Sequence, residues 1–428
     1  MKSNLALVLY YTKANKYSFN ALVGAIETKK YFENLSIYFY GKEEELFNEL
    51  GRICQKHDKT MLGISFFTTQ LWDTYNYVRK IRDNHCDRLL LVAGGPHPTG
   101  DPKGTLKIGF DIVVKGEGEE TLLEILEKID RDEDLSNIKG LAFIDEKGEY
   151  HENPRRSWID LDKYPPFSVK HEKFGNIEIT RGCPYACYFC QTPQILGGRP
   201  RHRSIEKISE YVYILKERNL TDIRFITSNA FSYGSIDGKK VDISCLEELL
   251  KSVKKIILPK GRIFLGSFPS EVRPDHVIPE TVELIKKYAH NDNLIIGAQS
   301  GSQKILDICH RNHTVNDVYN SVQLTLKAGL KANVDFIFGL PNETDKDIKD
   351  TIIVMSDLVK MGARVHTHTF IPLPHTPFSK YPPGHLSKDL RKLIDDLTAK
   401  GIAYGDWKAQ ENIAKKIAKY FRTGELKV

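Results

Sequence analysis

Short apolar runs alternate with amphipathic segments along the first 130 residues. The runs are Leu5–Tyr10, Leu35–Tyr40, Met61–Phe67, Leu89–Ala93 and Ile112–Lys115, with helical patterns near 20–32, 43–56, 71–84 and 119–129. Unbroken apolar runs are strands buried on both faces, so the rhythm predicts βαβ units and a doubly wound parallel sheet. Open sheets of this kind bind ligands beyond the carboxyl ends of their strands. Those ends carry Ser65, Thr68, Thr69 and Gln70, then Gly94, Gly95, His97, Pro98 and Thr99, then Gly116, Glu117 and Gly118. No G-x-G-x-x-G opens a helix after the first strand, which disfavours a dinucleotide.

The pattern changes over residues 131–175. Asp130–Asp134 is polar, Leu141–Ile144 with Glu149–His151 suggests a hairpin, and Tyr164-Pro165-Pro166-Phe167 cannot be helical. The expectation is a connector with a small β element. Residues 176–380 then repeat strand and helix about six times, with strands at Ile177–Thr180, Ile223–Thr227, Ile263–Phe268, Leu294–Ala298, Val334–Gly339 and Val365–Ile371. That is too few for a closed eight-stranded barrel and suits an open, partial (β/α)6 one. Residues 381–428 read as a small, charged helical extension.

Composition adds exclusions. Charged residues are 28%, the hydrophobic set is 41%, and the formal net charge is +6 over 428 residues. Long disorder and a disulfide mini-scaffold are excluded, and nothing in the charge calls for nucleic acid. No apolar run approaches the length of a membrane span and no signal peptide is evident. The seven cysteines therefore read as reduced thiols, and the cytoplasm is the expected location.

Arg181-Gly182-Cys183-Pro184-Tyr185-Ala186-Cys187-Tyr188-Phe189-Cys190 is the most informative segment. Three thiols fall in one loop directly after the first barrel strand. A [4Fe–4S] cluster is usually held by four cysteines, so three leave one iron open, and an open position is what chemistry needs. The alternative is a structural zinc completed by a distant histidine such as His202. Cys54, Cys86, Cys245 and Cys309 are isolated and read as packing residues.

C-x-x-x-C-x-x-C closing the first strand of a partial barrel resembles the radical SAM superfamily. His313-Thr314-Val315, Val334 to Thr344, and Phe370 to Pro377 resemble that superfamily's later strands. The resemblance covers about residues 175–375. It implies that Cys183, Cys187 and Cys190 hold a [4Fe–4S] cluster whose open iron binds S-adenosylmethionine, the source of a 5′-deoxyadenosyl radical. By position, Phe189 would offer backbone to the adenine. Ser228 and Asn229 stand where the amino-group contact lies, though they depart from the usual Gly-Gly-Glu. Ser270, Glu271 and Arg273 would reach the ribose and carboxylate, and Gln299 and Ser300 end the fourth strand.

The first domain is similar to the Rossmann-like cobalamin-binding domain fused ahead of many such barrels. By that resemblance the loops named above clasp the corrin side chains and nucleotide tail. The D-x-H-x-x-G motif that gives cobalt a histidine elsewhere is missing: Asp83-Asn84-His85 begins like it, but Arg88 stands where glycine is needed. His97 is the other candidate ligand, read as a polar loop contact.

For substrate, His366 and His368 are two apart on the last barrel strand and so share one face, either the lumen or an outer face under a helix. Tyr185 and Tyr188 lie within the cysteine loop. The resemblance implies a cobalamin-dependent C-methyltransferase acting on an unactivated sp3 carbon. The chain as a whole resembles the methanogen enzymes that C-methylate a glutamine or an arginine of methyl-coenzyme M reductase, the glutamine enzyme first. The partners implied are that protein's alpha subunit or a peptide loop of it, and an electron donor such as ferredoxin or flavodoxin. The other reading keeps both cofactors and gives a rearrangement, cyclisation or oxidation of a small molecule. A methylthiotransferase acting on tRNA would need three more cysteines upstream, where only Cys54 and Cys86 lie.

Overall fold

The computed structural model describes residues 4–84 and 89–426. Asp83-Asn84-His85 and Arg88 therefore lie partly outside the described residues. The chain divides into two compact units.

The first unit comprises the chain to Gly175 with Leu373–His375 and the terminus from Gly424. Its sheet is built from β1 (Leu5–Tyr10), β2 (Ser36–Tyr40), β3 (Lys59–Ser65), β4 (Leu89–Gly94), β5 (Ile112–Val114), β6 (Leu141–Ile144) and β7 (Tyr150–Glu152). The order is β2-β1-β3-β4-β5-β6-β7, with the first five strands parallel. This 2-1-3-4-5 winding reverses direction between β1 and β3, where such sheets bind ligands. Leu5, Leu7 and Leu9 of β1 are buried, as are Phe19, Val23 and Ile26 of the helix Lys16–Glu27 and Leu122, Ile125 and Leu126 of the helix Glu119–Arg131. The second helix starts on Glu119 and Glu120 and ends with Lys128 and Arg131, charges that suit the dipole at each end.

The connector expected over 131–175 belongs to this unit. β6 pairs antiparallel with β5, and β7 with β6, so the hairpin widens the parallel sheet. Ile138, Leu141, Ile159, Leu161 and Tyr164 fill the same core as β1. The prolines and charges that suggested a linker lie between these anchors.

The second unit comprises Asn176–Pro372 and Thr376–Thr423. β8 (Ile177–Glu178) leads to a short ladder of β9 (Thr180–Arg181) with β10 (Arg201–His202). β11 (Asp222–Ile226) lies between β8 and β12 (Arg262–Phe264), all parallel. A second parallel set follows: β13 (Asn293–Gln299), β14 (Lys331–Phe338), β15 (Arg364–Thr369) and β16 (Ala403–Tyr404). The two sets are joined through the segment after β12. Ile295 N donates to Gly266 O at 2.9 Å, Val272 N to Ile295 O at 2.9 Å, and Gly297 N to Val272 O at 3.0 Å. Helices follow the strands, as the sequence predicts. The C-terminal extension, read as helical, also contributes a strand: between its helices Lys388–Ala399 and Trp407–Thr423 it adds β16 beside β15.

One carboxylate fixes the exit of β13. Asp347, in the first turn of the helix Asp345–Met361, accepts from Ser302 Oγ at 2.7 Å, Lys304 Nζ at 2.8 Å, and Thr344 N at 2.9 Å and Oγ1 at 2.6 Å. Burial would raise its carboxyl, but Lys304 and the hydroxyls of Thr344 and Ser302 outweigh it and hold it far below the usual range. A depressed folded value means that the contribution is full at neutral pH and is lost as pH falls below about 4. Asp347→Ala is expected to cost about 2 kcal/mol at pH 7, and wild type and variant should converge in acid, both read by chemical denaturation.

Candidate active site

The cysteine loop leaves the barrel at the end of β9 and returns through β10, so a two-stranded ladder closes its base. Cys183 N donates to Gly197 O at 3.0 Å, and Cys190 N to Cys187 O at 3.0 Å. A second segment, Cys309–Asn312, braces the loop from the side. Tyr188 N donates to Cys309 O at 3.1 Å, and His310 Nδ1 lies 2.8 Å from Tyr185 O. Arg311 bridges two elements: Nη1 lies 3.4 Å from Cys187 Sγ, and Nη2 donates to Gly297 O at 2.7 Å.

The thiols interact as a group. Burial pushes the Cys183 thiol up and that of Cys190 up to about 11, and the charge of Cys187 adds to both. A metal that binds them as thiolates must therefore displace protons. His202 does not complete a zinc site. Its Nδ1 lies 2.9 Å from Thr180 Oγ1 and its Nε2 2.9 Å from Ser235 O. The donor set fits a bulkier cluster with three cysteine ligands.

Two buried guanidinium groups flank the loop. Arg273 Nη2 donates to Arg311 O at 2.7 Å, its Nε lies 3.0 Å from Asp275 Oδ1, and its Cζ lies 3.4 Å from the centre of the Tyr185 ring. Arg273 Nη1 and Arg311 Nε have no hydrogen-bond partner. Buried orphaned donors on cations are costly unless an anion meets them, and the carboxylate of S-adenosylmethionine is such an anion.

Other residues singled out from the sequence are placed as follows. Ser228 Oγ donates to Gly182 O at 3.0 Å. Asn229 is buried, with Nδ2 2.8 Å from His276 Nδ1 and Oδ1 accepting from Arg273 N at 3.2 Å. Ser270 is fully buried and donates to Ser267 O. Gln299 and Ser300 turn the chain out of β13, and Ser300 Oγ accepts from Ser302 N. Phe189 packs with Cys309, Leu340, Phe370 and Phe378. Tyr185 is buried, its hydroxyl 3.0 Å from His276 Nε2; Tyr188 is exposed and stacks on His310 at 5.5 Å.

The two readings of His366 and His368 are resolved by register. Gly297, Asp335, His366 and Tyr404 lie side by side across β13 to β16. A Cβ at Gly297 would come within 3.4 Å of Arg311 Nη2, so this row faces the side where Arg311 reaches Cys187. That face is the lumen. Glu271 belongs to the same interior. It lies within reach of the charges of Asp335, Arg311 and His366, with its side chain exposed to solvent. Burial, then the charge of Asp335, pushes its carboxyl up to about 7. Burial also lowers His368. Sequence reasoning missed Asp335 and Arg311. The signals were a lone acid inside the apolar strand Val334–Phe338 and the dense polar run His310–His313.

In the first unit, the loops at the carboxyl ends of β3 to β5 interlock. Gly95 has φ +96°, and a Cβ there would come within 2.6 Å of Ser65 Oγ, so only glycine lets β4 turn against β3. His97 is fully buried, 3.2 Å from Thr68 Oγ1 and beside the Phe66 ring, and burial lowers its imidazole to about 4. It sits with Pro98 and Thr99 in a helical turn, Pro96–Gly100, and not in an open loop. Thr99 Oγ1 accepts from Gly116 N at 3.1 Å, Glu117 Oε2 from Ile159 N at 2.9 Å, and Gln70 Oε1 from Phe67 N at 3.0 Å. Phe67 and Thr69 are exposed, Gly118 touches Leu22, and beyond Gly94 a Cβ would meet nothing within 4 Å. This open, glycine-edged space at the carboxyl ends of β3 and β4 fits a large planar cofactor such as cobalamin.

Comparison with known proteins agrees with this division. Residues 177–354 match the Radical SAM superfamily, and residues 29–126 match the B12 binding domain. The chain thus carries a B12 binding domain ahead of a radical SAM domain, and the cofactors of these two domains are cobalamin in the first and a [4Fe–4S] cluster with S-adenosylmethionine in the second. Its similarity runs to methyltransferases. An uncharacterized methyltransferase of Pyrococcus horikoshii is 29% identical over 327 residues, covering 72% of this chain and 67% of that protein. The radical S-adenosylmethionine methyltransferase TsrM of Kitasatospora setae, solved with tryptophan and a SAM analog, shares the fold. Its TM-score is 0.69 at 18% identity, over 88% of this chain and 75% of that one. The cobalamin-dependent radical enzyme OxsB, solved with aqua-cobalamin and S-adenosylmethionine, gives a TM-score of 0.64 at 16% identity, over 82% and 51%. Among the described residues, no helix is long and apolar enough to cross a membrane.

Proposed function

We propose that the chain transfers a methyl group from S-adenosylmethionine, by way of methylcobalamin, to an unactivated sp3 carbon of a glutamine side chain in methyl-coenzyme M reductase. When bound, the cofactors supply a carbon-centred radical that removes a hydrogen atom and a methyl group that replaces it. The protein's part is to hold donor and acceptor in line and to keep solvent out.

One observation carries the choice of a polar substrate: the lumen row of Asp335, His366 and His368 with Glu271 beside it. A polar lumen row suits a carboxamide, which offers both a donor and an acceptor. Arg273 and Arg311 would take the carboxylate of S-adenosylmethionine through their orphaned donors. The reaction is a post-translational modification in the cytoplasm of a methanogen, on a protein not yet assembled, with a ferredoxin or flavodoxin as reductant.

The test is a labelled-methyl assay on a peptide spanning the glutamine region of the reductase alpha subunit. The expected outcome is one methyl on the glutamine carbon, located by fragment mass spectrometry. Label on a free metabolite and none on any peptide overturns the protein substrate. Formation of 5′-deoxyadenosine with no methylated product favours the rearrangement or oxidation reading.

A further inference from the structure

We propose that Asp335, His366 and His368 form a binding site for a divalent transition-metal ion in the barrel lumen, separate from the cysteine loop. Among the described residues, this is the group of three whose ligand atoms all lie within 4.8 Å of one another. The strand geometry builds it. His366 and His368 stand two apart on β15, and Asp335 of β14 is the register partner of His366.

The spacing is that of ligands on one ion. His366 Nδ1 lies 3.0 Å from Asp335 Oδ1, and His368 Nε2 lies 3.1 Å from His366 Nδ1. Two donors about 2.1 Å from a metal and at right angles to each other are about 3.0 Å apart. Hydrogen bonding within the protein serves the group less well. His366 Nδ1 offers a single in-plane site, a proton or a lone pair, yet it faces both an acid and a second imidazole. A metal ion takes a lone pair from all three at once.

Charge points the same way. Asp335 is 2% exposed in a strand whose neighbours Val334, Phe336 and Phe338 are buried and apolar. Its ion-pair partner is His366, which counts only if protonated. Glu271, exposed to solvent, brings a second carboxyl near Asp335 and His366, while Asp335 is the buried one. Buried carboxylates are paired with cations or bound to metals.

The site is also held rigid. Tyr404 stacks on the His366 ring at 4.4 Å with a 10° tilt. Gly405, with φ +121°, brings the backbone close: a Cβ there would meet His366 Cδ2 at 3.1 Å. Gln410 packs against the far side of the His368 ring, its Nε2 3.4 Å from Nδ1 and its Oε1 held by Thr369 N at 2.8 Å. Two histidines and one carboxylate leave further positions open, for water or for a carbonyl oxygen of the substrate, and suit Fe(II), Mn(II) or Zn(II).

The experiment uses full-length protein with its cluster reconstituted anaerobically, so that the cysteines are occupied. Mn(II) is titrated in, and the free-ion EPR signal is followed. Binding of one Mn(II) per chain is expected. Asp335→Asn and His366→Gln should each weaken binding about tenfold or more, with iron and cobalamin content and the thermal transition unchanged. His368→Gln provides the same reading if one of those variants fails to fold. Mn(II) that stays free, or that binds equally to the wild type and every folded variant, overturns the site. No methyl transfer enters this test, so its failure and that of the proposed function are distinguishable.

Discussion

Replacing Cys183, Cys187 and Cys190 together with alanine is expected to abolish the visible absorbance of the iron–sulfur cluster and all formation of 5′-deoxyadenosine, while the chain stays folded. The first half follows from ligand arithmetic, because no other cysteine of the barrel stands ready. Cys309 is buried at the end of the helix Gln303–Ile308, and Cys245 lies in the first turn of the helix Ile243–Ile257. The second half follows from how the loop is held. Its frame is the β9–β10 ladder and backbone bonds such as Cys183 N to Gly197 O, none of which needs sulfur. Each substitution should cost about 1 kcal/mol or less. Iron analysis, visible spectra and circular dichroism separate the two halves. Stoichiometric zinc in reconstituted wild-type protein, with little iron, would contradict the assignment.

Filling the space beyond Gly94 is expected to remove cobalamin and nothing else. A Cβ at this position meets no atom within 4 Å, in contrast to Gly95 one residue on. Gly94→Leu should therefore leave stability within about 0.5 kcal/mol of wild type. It should weaken cobalamin retention at least about tenfold, or about 1.4 kcal/mol, because its side chain takes room the cofactor needs. Equilibrium dialysis with hydroxocobalamin measures this, and the cluster content serves as the internal control. Undiminished binding would move the corrin away from the ends of β3 and β4.

The strand–helix alternation was legible because parallel strands buried on both faces read as unbroken apolar runs. Leu5–Tyr10 is predicted and found over the same residues. The sequence leaves the hairpin at 141–152 in a connector because its strands are only four and three residues long and no local signal says which sheet they join. β16 spans two residues, too few for any periodicity. The cysteine loop announces itself by spacing. The lumen row does not, since Asp335 meets His366 through register between strands, a long-range property. Arg311 was hidden for the same reason: the chain folds back from residue 311 to 187 before it has a role.

That guanidinium has a consequence for electron supply. It is pinned to Gly297 O at 2.7 Å and hydrogen-bonded to Cys187 Sγ at 3.4 Å, so its charge cannot swing away into solvent. For a cluster held by Cys187, a fixed cation beside the sulfur would stabilise the oxidation state that carries more electrons and so raise the midpoint potential. The reductant's task would then be eased by one side chain, and the potential at which the enzyme wakes would be set partly in strand β13.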